Sequence, residues 1–373
     1  MSKRESLIDI GKGIGSILVI MGHTDSTSYK LRIFIDSFHM PFFFILSGMV
    51  LNTNYSIFQF IKRKIKSLLI NYYILNFILL IWNEIINDPL KCFKKKKNYI
   101  NFIKQIFWCA PPYYYYNWFI MSLFTTEILF FIIYKILHNI IKINTKKLFN
   151  IQNSKYFNLI AYFFSLFLLF LLLKYGFYIS LINVKKYKRR YYFCLDLIPL
   201  NSFFLLIGYY FKNNKKLLTY ISKWYFGIFY FYINYFYNKN KKQKYSYLLS
   251  ENKNFMNFSI TSITGSLFLL CICHYIKKNK LLEYIGKNSI IFYAFHSKIS
   301  LNFFEKLNKS FGDLSKNFKT PIFRFLFVNI GTIVHLSFLS YIINSSFPYV
   351  LNITDFISKF DFKIYLDSKE KKY

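Results

Sequence analysis

The stretch Ile8-Asp9-Ile10-Gly11-Lys12-Gly13-Ile14-Gly15-Ser16-Ile17-Leu18-Val19-Ile20-Met21-Gly22-His23 decides how this chain is read. It suits a helix crossing a bilayer core of about 30 Å, which takes roughly 20 apolar residues. Yet it carries Asp9, Lys12 and His23. Ionisable groups inside a membrane are costly and point by default to function. Eleven steps of about 100° return Lys12 and His23 to nearly one helix face, roughly 16 Å apart along the axis. They cannot touch, but they mark the two ends of one polar track. Asp9, three residues before Lys12, is placed for an intrahelical ion pair. A plainer account also fits: Asp9 and Lys12 anchor in the headgroups and His23 caps the far end.

The apolar pattern of that stretch recurs along the chain. Hydrophobic residues make up 54% of the 373 and aromatics 23%, with only 7 Pro and 12 Gly to interrupt them. About ten spans are predicted, near 7–23, 33–51, 67–86, 117–137, 157–182, 191–211, 217–237, 255–276, 281–303 and 321–347. The longest uncharged run is Tyr156 to Leu173. The connections leave no room for a separate soluble domain. The expected fold is therefore all-α, a polytopic transmembrane helical bundle over residues 1–350, followed by a polar tail at 351–373. An even number of spans puts both ends on one face.

A net charge of +34 invites a nucleic-acid reading, but a basic RNA binder does not also carry ten bilayer-length apolar runs. No nucleic-acid partner is expected, and anionic lipid headgroups are the better counter-charge. Lys-rich loops such as Lys94–Lys97 and Lys185–Arg190 fall on both sides, so the positive-inside rule does not orient the chain. The five cysteines, Cys92, Cys109, Cys194, Cys271 and Cys273, form no C-x-x-C pair and read as packing residues. No secretory signal is apparent, since the first apolar segment contains Asp9 and Lys12 and lacks a small-residue cleavage site. Gly11, Gly13 and Gly15 lack the phosphate-loop pattern. Gly11-xxx-Gly15 instead fits a small-residue seam between membrane helices.

The second informative block is Phe38-His39-Met40-Pro41-Phe42-Phe43-Phe44-Ile45-Leu46-Ser47-Gly48. The short loop from Thr24 to Arg32 makes the first two spans antiparallel neighbours, which brings His23 and His39 to the same membrane face. Two imidazoles in an apolar setting suit proton transfer near neutral pH. A structural pair fits the same residues, and a metal site would lack further ligands.

Asp9-x-x-Lys12-Gly-Ile, Gly22-His23 and the Phe-His-Met-Pro-Phe-Phe-Phe-x-Leu-Ser-Gly block together resemble the acyltransferase 3 family of membrane O-acyltransferases, and within it the fucose 4-O-acetylase-like branch. Later pieces agree in order: Lys62-Arg63-Lys64-x-Lys66 before Leu68-Leu69-Ile70-Asn71-Tyr72, then Trp118-Phe119-Ile120, Gly208-Tyr209-Tyr210, and Ile285-Gly286-Lys287-Asn288-Ser289 with Tyr293 and His296. Much of the family has Arg where this chain has Lys12, while the fucose-acetylase-like branch usually carries Lys. A proline common at the start of span three is Asn71 here, which bears on local helix geometry.

The resemblance implies transfer of an acetyl or other acyl group from acyl-CoA to a hydroxyl of a surface glycan or its lipid-linked precursor. It places the protein in a bacterial cytoplasmic membrane, with acetyl-CoA as co-substrate and no bound cofactor or metal. His23 matches the motif histidine and is assigned as general base, with His39 as second base or orienting partner and Lys12 and Asp9 completing the catalytic set. A developing oxyanion needs donors; Asn288, Ser289 and His296 are candidates. Arg63, Lys64, Lys66 and Lys12 are candidates for the CoA phosphates, although any juxtamembrane anchor looks the same. Trp118, with Tyr113–Tyr116, suits either a sugar-stacking platform or an interfacial aromatic belt. Glu127 and Asp196 are expected to pair across the bundle with Lys12, Lys223, Lys287 or Lys298. The rival reading is a transporter or flippase of a glycan intermediate without acyl chemistry. No second copy of the histidine patterns marks an internal repeat, which favours the enzyme.

Overall fold

The structure is a computed structural model that describes residues 6–82, 117–147, 171–179, 192–239, 255–314 and 320–346. The expected tail 351–373, Cys92, Cys109, Tyr113–Tyr116 and most of the span expected at 157–182 lie outside these residues.

The described residues form an all-α bundle. Its α-helices are α1 (Ser6–His23), α2 (Tyr29–Asp36), α3 (His39–Val50), α4 (Ile57–Lys64), α5 (Ile70–Ile81), α6 (Trp118–Lys147), α7 (Ile198–Asn213), α8 (Lys215–Ile221), α9 (Trp224–Lys239), α10 (Phe255–Ile276), α11 (Lys280–Lys287), α12 (Ser289–Phe295), α13 (Asn302–Leu314) and α14 (Pro321–Ser346). A further helical stretch covers 171–179. Among the described residues, six segments are long and apolar enough to cross a membrane: Ser6–His23, Tyr29–Val50, Trp118–Ile136, Tyr192–Asn213, Phe255–Ile276 and Pro321–Ser345.

Glycines set the closest crossings. A Cβ on Gly48 would meet the Leu205 carbonyl oxygen at 2.0 Å, and one on Gly208 would meet the Ile45 oxygen at 1.9 Å. α3 and α7 thus touch backbone to backbone through reciprocal glycines, as small residues permit in membranes. On α1 the seam differs from the sequence reading. Gly11 and Gly15 face side chains of α3, at 3.0 Å from Leu46 and 2.7 Å from Phe43. The backbone approach is at Gly13, whose Cβ would lie 2.2 Å from the Leu282 oxygen, matched by Gly286 at 1.8 Å from the Asp9 oxygen.

Several predicted spans are interrupted, the seventh at 217–237 being split into α8 and α9, and two of the breaks shape the site. The second bends between α2 and α3, where the Ser37 carbonyl turns out of the helix and accepts from Ser262 Oγ on α10 at 3.0 Å. The ninth, expected as one helix over 281–303, is α11, α12, a π-helical turn at His296–Leu301 and α13. Asn288 breaks it: its side chain donates to the Tyr284 carbonyl at 2.9 Å, closing the end of α11. α11 is amphipathic and lies across the first half of α1.

Contacts fix which ends share a face. Ser6 Oγ lies 2.9 Å from the Lys277 carbonyl and 2.8 Å from Glu283 Oε1, and Asn344 donates to Asn288 at 2.8 Å. The described ends Ser6 and Ser346 therefore lie on one face. Asp25, Glu305 and Arg324 gather on the other, beyond His23.

Candidate active site

α1 ends at His23, which is exposed, and the loop after it is tied down on three sides. Arg32 Nη2 donates to the Thr24 carbonyl at 2.6 Å. The Thr24 hydroxyl lies 3.0 Å from Asn329 Oδ1. The Asp25 backbone N–H donates to Glu305 Oε1 at 2.8 Å, and Arg324 stands 3.8 Å from the Asp25 carboxylate. These contacts hold the end of α1, and with it the His23 backbone, against α13 and α14.

Two further histidines converge there. His39 opens α3 directly after the bend; it is 7% exposed, and its Nδ1 lies 2.9 Å from the Ile35 carbonyl. His296 opens the π turn at 3% exposure, with Nδ1 2.6 Å from the Tyr293 carbonyl. A carbonyl only accepts, so in each ring Nδ1 carries the proton and neutral Nε2 keeps its lone pair. The His296 Nε2 is buried with no hydrogen-bond partner. The His23 and His296 ring centroids are 5.1 Å apart, and all three rings lie within electrostatic reach of one another. π-helical turns inside α-helices recur at functional sites because the widened turn re-aims a side chain. Among the described residues, no group of three His, Cys, Asp or Glu side chains is arranged to hold a metal ion.

A sequence-family model described as an acyltransferase domain matches residues 6–342. The chain belongs to that family. No curated protein and no solved structure matches it. It is thus an acyltransferase-family membrane protein.

The remaining candidates separate into two groups. Near the histidines, Trp118 packs on Phe119 at 6.2 Å, Phe119 on Tyr293 at 5.4 Å, and Tyr293 on His296 at 5.9 Å. Trp118 is thus connected to the site through two intervening rings. Asn288 and Ser289 are not brought to the histidines, since seven or eight helical residues separate them from His296, roughly 10–12 Å along an axis. Asn288 is also committed to Tyr284 and Asn344.

At the face where α1 begins, Asp9 is 2% exposed and Lys12 is half-buried. Arg63 is exposed and stacks on the Tyr55 ring at 4.5 Å. Lys66 is half-buried in the π turn Ile65–Leu69. Lys64 turns inward and pairs with Glu127 at 2.6 Å, and Ser47 Oγ donates to the other carboxylate oxygen. This corrects the expected partner of Glu127: the short helix α4 brings Lys64 to α6. It also leaves Lys64 less suited than Arg63 or Lys66 to hold a phosphate. At Asn71 the family's usual proline would block the bond to the carbonyl four residues back. Here the Asn71 side chain donates to that carbonyl, Ser67, at 2.8 Å, directly after the π turn. Arg32, Glu305 and Arg324 were not singled out in the sequence. Only Arg32, on α2 between the two histidine motifs, offered a signal there.

Proposed function

We propose that this protein transfers an acyl group, acetyl in the simplest case, from acyl-CoA to a sugar hydroxyl of a glycan or lipid-linked precursor. The observation that carries the reading is His23, an exposed residue whose ring lies 5.1 Å from that of the buried His296, whose Nε2 is unpartnered. A sugar hydroxyl is a weak nucleophile, and a positioned base near neutral pH corrects that. His23 takes the hydroxyl proton as the oxygen attacks the thioester carbonyl. The carbon–sulfur bond then breaks, and the thiolate recovers a proton from the His23 imidazolium to leave as the CoA thiol. His296 and His39, held by their carbonyls as Nε2 acceptors, orient the His23 imidazolium and share its charge.

Lys12, Arg63 and Lys66 suit the CoA phosphates at the opposite face, which leaves the donor's flexible arm to span roughly 16 Å along α1. Lys12 in place of Arg agrees with a fucose 4-O-acetylase-like acceptor, although a Lys offers a point charge rather than a bidentate fork. The test is acyl transfer from labelled acetyl-CoA in membranes. His23→Ala is expected to abolish transfer while the protein accumulates normally; undiminished transfer refutes the assignment.

A further inference from the structure

Away from the histidines, an open groove of about 580 Å³ runs along the packed pair α9 and α10. Its walls are almost wholly apolar and include Trp224, Ile228, Phe231, Phe268 and Tyr275. Trp224, Ile228, Phe231 and Tyr275 are all well exposed, at 63%, 61%, 43% and 51%. At the floor the two helices come close at Gly227, where a Cβ would come within 3.3 Å of the Cys271 Cβ. One end is closed by the Trp224 backbone N–H donating to the Tyr275 hydroxyl at 2.9 Å.

That closed end is basic. Lys223 directly precedes Trp224, and its ammonium lies 5.1 Å and 5.8 Å from the Tyr220 and Tyr225 rings. Ile276, on the groove, is followed by Lys277 and Lys278, and Lys277 turns the chain out of α10 with a φ of 52°. Lys215, Lys216, Lys223, Lys277, Lys278 and Lys280 are all exposed. The carboxylate that the contacts bring here, Glu283, is held by Ser6. Positive charge is therefore in excess at the mouth of an apolar slot, on the face where α1 begins.

We propose that this groove is a specific site for an anionic phospholipid, with the phosphate among Lys223, Lys277 and Lys278 and an acyl chain laid between α9 and α10 against Gly227. From Trp224 to Phe231 the slot runs roughly 10 Å, enough for the upper half of one chain. Basic pockets between membrane helices recognise anionic headgroups by this combination of charge and apolar wall. Charge complementarity decides for the lipid over a protein partner, because a bare apolar face would need no lysine rim.

The full chain in detergent, equilibrated with phosphatidylglycerol and phosphatidylcholine of matched acyl chains, is read by native mass spectrometry. Wild type is expected to retain one phosphatidylglycerol in preference. Lys223→Gln with Lys277→Gln is expected to lower that preference by roughly twenty-five-fold, at about fivefold per lysine. Gly227→Leu, whose side chain must part α9 from α10 at the floor, is expected to lower retention of both lipids. Three results overturn the site: equal retention of both lipids by wild type, an unchanged preference in the lysine variant, or a lipid-free species of twice the mass, which would make the groove an interface between two copies. The lysine variant, altered only at exposed positions, decides the matter even if Gly227→Leu fails to accumulate. No acyl transfer is measured, so the outcome is independent of the proposed reaction.

Discussion

The His23 ring stands 5.1 Å from the His296 ring, with the planes tilted by 45°. His296 spends Nδ1 on the Tyr293 carbonyl, so its contribution to chemistry rests on Nε2. Asn at 296 keeps a donor near the Nδ1 position and removes Nε2. His296→Asn is expected to lower kcat by about 10²-fold or more, the usual scale for a lost electrostatic stabiliser, with protein abundance unchanged. Wild-type turnover in this variant would reduce His296 to packing.

Lys64 and Glu127 test the buried network at the opposite face. Glu127 has 1% of its side chain exposed and Lys64 21%. Removing one member of a buried pair strands the other charge, at about 3–5 kcal/mol. Lys64→Met is therefore expected to destabilise the protein strongly, and Lys64→Met with Glu127→Leu to recover most of the loss. Denaturation of the purified variants in detergent measures both. Equal damage in the single and double variants would show that the pair is not the source.

Gly48 and Gly208 are predicted to tolerate nothing larger. Alanine at either drives a methyl into a backbone oxygen about 2 Å away, at 2.0 Å and 1.9 Å respectively, and the crossing of α3 and α7 must open. Overpacking of this kind costs about 1–3 kcal/mol or more. Gly22→Ala is the control, since its Cβ would meet nothing closer than 3.4 Å. Thermal midpoints should fall for the first two variants and hold or rise for the third, where alanine favours the helix.

Glu305 gives a pH dependence. Burial is the largest influence on it and raises its pKa above the usual 4.5, with the neighbouring Asp25 carboxylate acting in the same direction. A carboxyl whose folded value is raised favours the folded state only while protonated. Its contribution is intact below 4.5 and is lost as the pH climbs through the raised value. Glu305→Gln keeps an acceptor for the Asp25 N–H without the charge. It is expected to raise the thermal midpoint near neutral pH, with the gain shrinking as the pH approaches 4.5. A gain independent of pH would assign the effect to something other than this titration.

The rim cluster also illustrates what local sequence conceals. Asp25, Glu305 and Arg324 sit in three separate segments, and each alone is an ordinary charge near a helix end. The ninth span misled for a related reason. Its hydropathy reads as one helix, but Asn288 closes α11 and the π turn at His296 resets the rotation of α13 beyond it. Hydropathy reports how apolar a window is, and a window average does not register a break within it.

By itself the sequence determined the helical membrane class, the polar face of α1 and the nearness of His23 to His39. Each depends on residues close in the chain: apolar length sets a span, 3.6-residue periodicity sets a face, and a short loop makes neighbours antiparallel. Only the tertiary structure decided that His296 joins His23, that Lys64 answers Glu127, and that Gly48 meets the backbone of α7. Those pairings join distant segments. In a membrane, where apolar side chains gain little by leaving lipid for one another, close backbone approach and satisfied polar groups choose the partners.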